Sequence, residues 1–202
     1  MAAPIDFYFD FSSPYGYLAG ELIDTLAARY QRSVRWRPIL LGVVFKTTGG
    51  APLPSLPLKG DYSRRDFARS ARFHDIAYRH PARFPISTVA PARAFYWLDG
   101  QDAMAAIHLA KLLFRAYFAD GLDISDPETT VAVATQAPLG LSADAIREGM
   151  SLPAVKDRVR TEVEQALAIG VFGSPYMVID GEPFWGADRL DQMERWLARG
   201  PW

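Results

Sequence analysis

The chain has 202 residues, 50% hydrophobic and 22% charged, enough for one globular domain or one domain with a large insertion. Its 22 Lys and Arg against 23 Asp and Glu leave a formal net charge of -1, so no excess positive charge is on offer to nucleic-acid phosphates or an anionic membrane. Cysteine is absent, which excludes disulfides, thiolate metal ligands and any thiol nucleophile or redox exchange carried by the chain itself.

Met1 to Asp10 lacks the basic segment and apolar core of a signal peptide, and no run approaches the ~20 apolar residues of a membrane span, so a cytoplasmic protein is expected. Ile5, Phe7, Phe9 and Phe11 alternate with Asp6, Tyr8 and Asp10, the period of a strand with a buried face. The strand feeds a helix at Ser13, where Tyr17, Leu18, Leu22, Leu26 and Tyr30 follow at helical spacing. Ser33 to Leu41 suits a second strand, parallel to the first by a right-handed crossover.

Lys46 to Gly60 is rich in Gly and Pro and reads as a loop. Helical patterns follow: Ser63 with Asp66, and Ser125 with Glu128, have the spacing of capping pairs, and Ser142 is placed to cap a third helix. Ile107, Ala110, Phe114 and Tyr117 then repeat at helical spacing, as do Val155, Val159, Val163 and Leu167, with Gly170 placed after the end of their helix. Tyr176 to Ile179 is a short β-rich run, Asp180-Gly181 a two-residue hairpin turn, and Pro183 to Trp185 the returning strand, before a last helix with Leu190, Met193 and Leu197 inward. The order is β-α-β, helices, then β-β-α. It predicts an α/β thioredoxin-like fold, with residues 1–61 and 171–202 forming the thioredoxin-like part and 62–170 an all-helical insertion.

Ser13-Pro14 has an ordinary explanation, since serine is a favoured N-cap and proline a favoured first helical residue. It also has a chemical one: a helix start carries free N–H groups and about half a positive charge, and a serine there adds a donor for an anion such as a thiolate. No base stands in a recognisable triad with it, so the hydroxyl is a donor rather than a nucleophile. In Gly173-Ser174-Pro175-Tyr176, a proline before a short strand is either an ordinary trans turn or a cis bond that exposes the Ser174 main chain to an extended peptide ligand. Asp188 is either a carboxylate complementing a helix dipole or part of a receptor for an amino-acid zwitterion, and Lys59 either a solvated lysine or a contact for a ligand carboxylate. Trp185 stands beside these residues as a candidate wall of an apolar pocket. His74, His80 and His108 have no metal-ligand spacing, and no nucleotide-binding motif is present.

The run from Asp6 to Tyr15 resembles the opening of the 2-hydroxychromene-2-carboxylate isomerases, which belong with the kappa-class glutathione transferases in the DsbA-like branch of the thioredoxin fold. Gly170 to Pro175 and Phe184 to Leu190 are similar to the two C-terminal motifs of the same family, and the likeness spans nearly the whole chain. It implies reduced glutathione as cofactor, with Ser13 hydrogen-bonding the thiolate and Pro175 cis. It further implies that the Ser174 main chain pairs with the cysteinyl unit, that Asp188 holds the γ-glutamyl end, and that Lys59 acts as the loop lysine. It implies a small aromatic carboxylate substrate in ring catabolism, and a homodimer. Two positions depart from the family: Gly49-Gly50-Ala51 stands where an asparagine is frequent, and Ala187 where a polar residue is. The alternatives are a kappa-class-like transferase or peroxidase, in which the thiolate is consumed, and a thioredoxin-like binding module without catalysis.

Overall fold

The computed structural model describes residues 3–136 and 140–202. Strand β1 (Ile5–Phe9) is the second of a four-stranded sheet ordered β2-β1-β3-β4, parallel to β2 (Val34–Pro38) and antiparallel to β3 (Tyr176–Ile179), which pairs antiparallel with β4 (Glu182–Trp185). The alternation in β1 sends Ile5, Phe7 and Phe9, all fully buried, to one face. There the Phe9 ring meets Trp36 at 5.2 Å and Phe114 at 5.2 Å. Each such buried phenylalanine contributes about 2–3 kcal/mol, and truncating Phe9 to alanine would cost about 3–5 kcal/mol.

Tyr8 points to the opposite face, into a smaller cluster with Ile39, Val163, Val171 and Tyr176. Both faces of β1 are therefore covered. The first face carries α1 (Pro14–Arg29), α4 (Val89–Asp99) and α5 (Ala103–Phe118), and one continuous buried cluster joins Phe7 and Phe9 to Phe95, Leu109 and Phe114. The strand pair β3–β4 turns through Asp180 at φ 52° and Gly181 at φ 91°, two left-handed residues of the kind the Asp-Gly signal predicts. Both edge strands contain a proline, Pro38 in β2 and Pro183 in β4.

Three local expectations need correction. The stretch expected to be loop, Lys46 to Gly60, holds the last turn of α2 (Leu41–Thr48), which Gly49 ends at φ 74°, a turn at Leu53–Ser55, and the first residues of α3 (Lys59–Phe73). Ser63 does not cap α3: it lies inside it and donates to the Gly60 carbonyl at 2.8 Å. At the start of α6 (Pro127–Gln136), Asp126 rather than Ser125 accepts the free N–H, from Thr129 at 2.9 Å. Ser142 does cap α7 (Ala143–Ser151), and the valines of α8 (Pro153–Ala168) are buried as their spacing requires. Leu190 and Met193 are buried on α9 (Leu190–Arg199), with Leu197 packed against the core.

Candidate active site

Beyond Phe9 the chain needs a sharp turn to enter α1, and the polar residues Asp10, Ser12 and Ser13 make it. Ser13 is the N-cap of α1, in extended backbone, and its Oγ accepts from Gly16 N at 3.0 Å. The same hydroxyl donates to the main-chain oxygen of Ser174 at 2.9 Å. Its single proton is thus directed at the loop before Pro175, and Ser13 is only 5% exposed. Pro14 brings no N–H, so Tyr15 N is the first backbone donor of α1, and it has no acceptor among the described residues.

The Ser174–Pro175 peptide is cis. Ser174 Oγ accepts from Asp10 N at 2.9 Å, while the Pro175 carbonyl accepts from Gly186 N at 3.0 Å. Ser13 and Ser174, the residue before Pro175, are accordingly brought into direct contact from opposite ends of the chain. Gly16 makes the approach possible, because a Cβ there would lie 2.9 Å from Ser174 Oγ and 3.0 Å from Ser13 Cβ.

Asp10 is buried behind Ser13. Its carboxylate accepts from Ser12 N at 2.7 Å, Leu41 N at 2.7 Å and Thr88 Oγ1 at 3.1 Å. Burial pushes its pKa up to about 6, against the pull of the Leu41 and Ser12 N–H groups and the Thr88 hydroxyl. Neither Asp10 nor Gly16 stood out in the sequence. An aspartate two residues before a helix-cap region is the signal of an Asx turn, and a glycine at the third helical position marks close backbone approach.

The remaining expected residues lie at the rim. Asp188, in a single turn at Ala187–Arg189, is 73% exposed in its side chain and pairs with Arg189 at 3.0 Å. Its charge reaches Tyr15, whose hydroxyl donates to Asp66 of α3 at 2.5 Å and so ties α3 to the start of α1. Burial, first, and the Asp66 carboxylate, second, hold the Tyr15 phenol well above its usual range. Lys59 opens α3, is exposed, and has no hydrogen bond or ion pair from its side chain among the described residues. Trp185 is 55% exposed and its indole stacks over Gly173, where a Cβ would sit 2.4 Å from Nε1; Phe172 meets it at 4.8 Å between ring centroids. No group of three or more His, Cys, Asp or Glu is placed to hold a metal ion among the described residues.

A sheet with a capped helix start facing a cis-proline loop defines the class. The DSBA-like thioredoxin domain family matches residues 4–198, and the chain belongs to it. Within that class it belongs with the 2-hydroxychromene-2-carboxylate isomerases. The isomerase of Sphingobium xenophagum is 34% identical over 200 residues, spanning 98% of this chain and 99% of the relative. The solved structure of a selenomethionine 2-hydroxychromene-2-carboxylate isomerase superposes with a TM-score of 0.85 at 30% identity, over 96% of this chain and 94% of that one. Glutathione S-transferase kappa 1 of Homo sapiens is 25% identical, over 98% of this chain and 94% of its own length. The family is one of enzymes, as its members' names state. None of the helices among the described residues is long and apolar enough to cross a membrane.

Proposed function

We propose that this protein binds reduced glutathione and isomerises 2-hydroxychromene-2-carboxylate to trans-o-hydroxybenzylidenepyruvate. The observation that carries the reading is the Ser13 hydroxyl, buried at a helix start beside the free Tyr15 N–H and aimed at the cis-proline loop, in a chain with no sulfur nucleophile of its own.

The residues present fit a cysteinyl peptide. Ser13 Oγ and Tyr15 N supply donors to a thiolate at the positive end of α1, and the Ser174 main chain supplies the edge along which an extended peptide pairs. As the Ser13 hydroxyl swings from the Ser174 carbonyl toward sulfur, that carbonyl is released to accept an N–H from the ligand, so no buried acceptor is left unsatisfied. Asp188 is the group for the γ-glutamyl ammonium and Lys59 for a carboxylate. Trp185 and Phe172 offer an aromatic wall for the substrate ring. Bound glutathione would supply a thiolate that adds reversibly to the conjugated double bond of the ring-opened hemiketal, allows rotation about the single bond so formed, and leaves to restore the double bond in the trans form. Ser13 and the helix start keep that sulfur ionised near neutral pH. The resemblance also supports a cytoplasmic homodimer, which sedimentation would check.

The test is an assay of the chromene carboxylate with and without glutathione. Turnover that depends on glutathione and is lost in Ser13→Ala supports the reading, and turnover in the absence of glutathione refutes it. The kappa-class relative favours a second reading, in which the same site conjugates glutathione to an electrophile. Product from a generic aromatic halide, with none from the chromene carboxylate, would select it.

A further inference from the structure

Asp10 touches the segments that meet behind Ser13. Its carboxylate receives Ser12 N at the turn into α1, Leu41 N at the start of α2, and Thr88 Oγ1 at the start of α4. Its main-chain oxygen receives Ser13 N at 2.9 Å, and its own N–H goes to Ser174 Oγ at 2.9 Å. The two helix starts beyond α1 have no cap of their own. Leu40, the residue before α2, has no polar side chain, and the Thr88 hydroxyl is turned to Asp10 instead of its own helix. One carboxylate thus takes a donor from the approach to α1, from the first residue of α2 and from the residue before α4, the last two from distant parts of the chain.

The chemistry of the group matters as much as its place. Two N–H groups and one O–H converge on it, and an acceptor-only side chain takes all three. Asparagine in either flip would set its NH2 against the N–H of Ser12 or of Leu41. Among the described residues no lysine, arginine or histidine neutralises the charge, and Tyr117 of α5 is a titratable side chain that senses it. A buried carboxylate without a cation is unfavourable unless hydrogen bonds hold it, which leaves its geometry as the gain.

We propose that Asp10 is the positioning residue of this site, holding Ser13 and Ser174 in register by gathering three helix starts on one buried acceptor. The proposal rests on the reading that Ser13 stabilises a glutathione thiolate, and the two are separable by the direction of one measurement. As a bare negative charge near the sulfur, Asp10 opposes a thiolate, so its neutralisation by asparagine would lower the bound thiol pKa. As a positioning residue it works the other way, since its loss misplaces the Ser13 donor and the bound thiol pKa rises.

The experiment is a pH titration of the ultraviolet thiolate absorbance of glutathione bound to the full-length chain, for wild type, Ser13→Ala, Asp10→Asn and Thr88→Val. Asp10→Asn should raise the bound thiol pKa by about one unit, roughly a tenfold loss of thiolate below that pKa. Thr88→Val, which removes one of the three donors, should shift it the same way by about threefold. A fall or no change in Asp10→Asn, with circular dichroism showing it folded, overturns the proposal and leaves the thiolate reading standing. Should Asp10→Asn fail to fold, Thr88→Val decides by the same sign, and an unmoved titration there overturns the proposal. A wild type that generates no thiolate signal sinks both readings together.

Discussion

The end of the site proposed to hold sulfur, called the sulfur end below, and its rim are made from different materials. Behind Ser13 the polar groups are buried or half-buried and joined to one another: Ser13 to Ser174, Ser174 to Asp10, and Asp10 to Ser12, Leu41 and Thr88. At the rim, among the described residues, Asp188 and Arg189 are exposed and paired only with each other, and Lys59 has no pair. A buried hydrogen bond is worth about 1 kcal/mol, with a further ~1–3 kcal/mol lost when a partner is left unsatisfied, whereas an exposed ion pair contributes roughly 0–1 kcal/mol. The sulfur end therefore has its geometry before any ligand arrives. The rim supplies charge without fixed geometry, so substitutions at the two ends should separate into effects on turnover and effects on affinity.

The largest expected separation comes from Ser13→Ala. Removing the hydroxyl proposed to donate to the thiolate should lower kcat/KM by about 10²–10³-fold, while the lost N-cap lowers stability by only about 1 kcal/mol. Steady-state kinetics together with urea unfolding would read both, and a variant with wild-type turnover would remove Ser13 from the sulfur end.

Next in size is a pH effect on stability. Asp10 is held at about 6 in the folded chain against an ordinary 3.8, so between those values the folded state binds a proton that the unfolded state does not. Stability then rises as the pH falls from about 6 towards 4, by as much as about 3 kcal/mol for this group alone. Asp10→Asn lacks the term. The difference in unfolding free energy, wild type minus variant, should grow as the pH drops from 7 to 4; a flat difference would mean that this carboxylate is not the strained member of the sulfur end. Ionised Asp10 is thus less favourable for the fold than protonated Asp10, and the arrangement behind Ser13 is kept at some expense of stability.

Gly16→Ala tests the close approach directly. The new methyl would press on Ser174 Oγ and Ser13, and its displacement should lower stability by about 1–2 kcal/mol and turnover by about tenfold. Retention of both would show that the cis-proline loop has slack against α1. Smallest is the rim: Asp188→Asn should raise the KM for glutathione by about threefold, in keeping with one exposed charge. A hundredfold rise would instead mean that Asp188 becomes buried when the ligand binds, and would erase the contrast drawn between the two ends.

How much of this could be read from the chain depends on how local each device is. Strand β1 follows from alternation, the hairpin from Asp180-Gly181, and the Ser13 cap from its place before Pro14, all properties of a few neighbouring residues. Helix α2 escaped because it buries little beyond Val44, and its cap is the Asp10 carboxylate, 31 residues away. The Ser63–Asp66 spacing misled for a related reason. Helix α3 starts earlier, after Leu58 at φ 63°, and Asp66 is engaged by Tyr15 from 51 residues away. The Ser13 and Ser174-Pro175 motifs were legible, but the contact of Ser13 with Ser174 was not, since it spans 161 residues. Gly16 takes its role from Ser174 across that gap, and Asp10 from partners at Leu41, Thr88 and Ser174.

The two prolines at the sheet edges bear on how copies of the chain meet. Pro38 and Pro183 each remove a backbone donor from an outer strand, and β2 adds Arg35 and Arg37. A sheet so bordered resists growth by strand addition, the route by which short β edges recruit neighbours into aggregates. Self-association is then favoured through side chains on helices or loops over pairing along the outer strands β2 and β4.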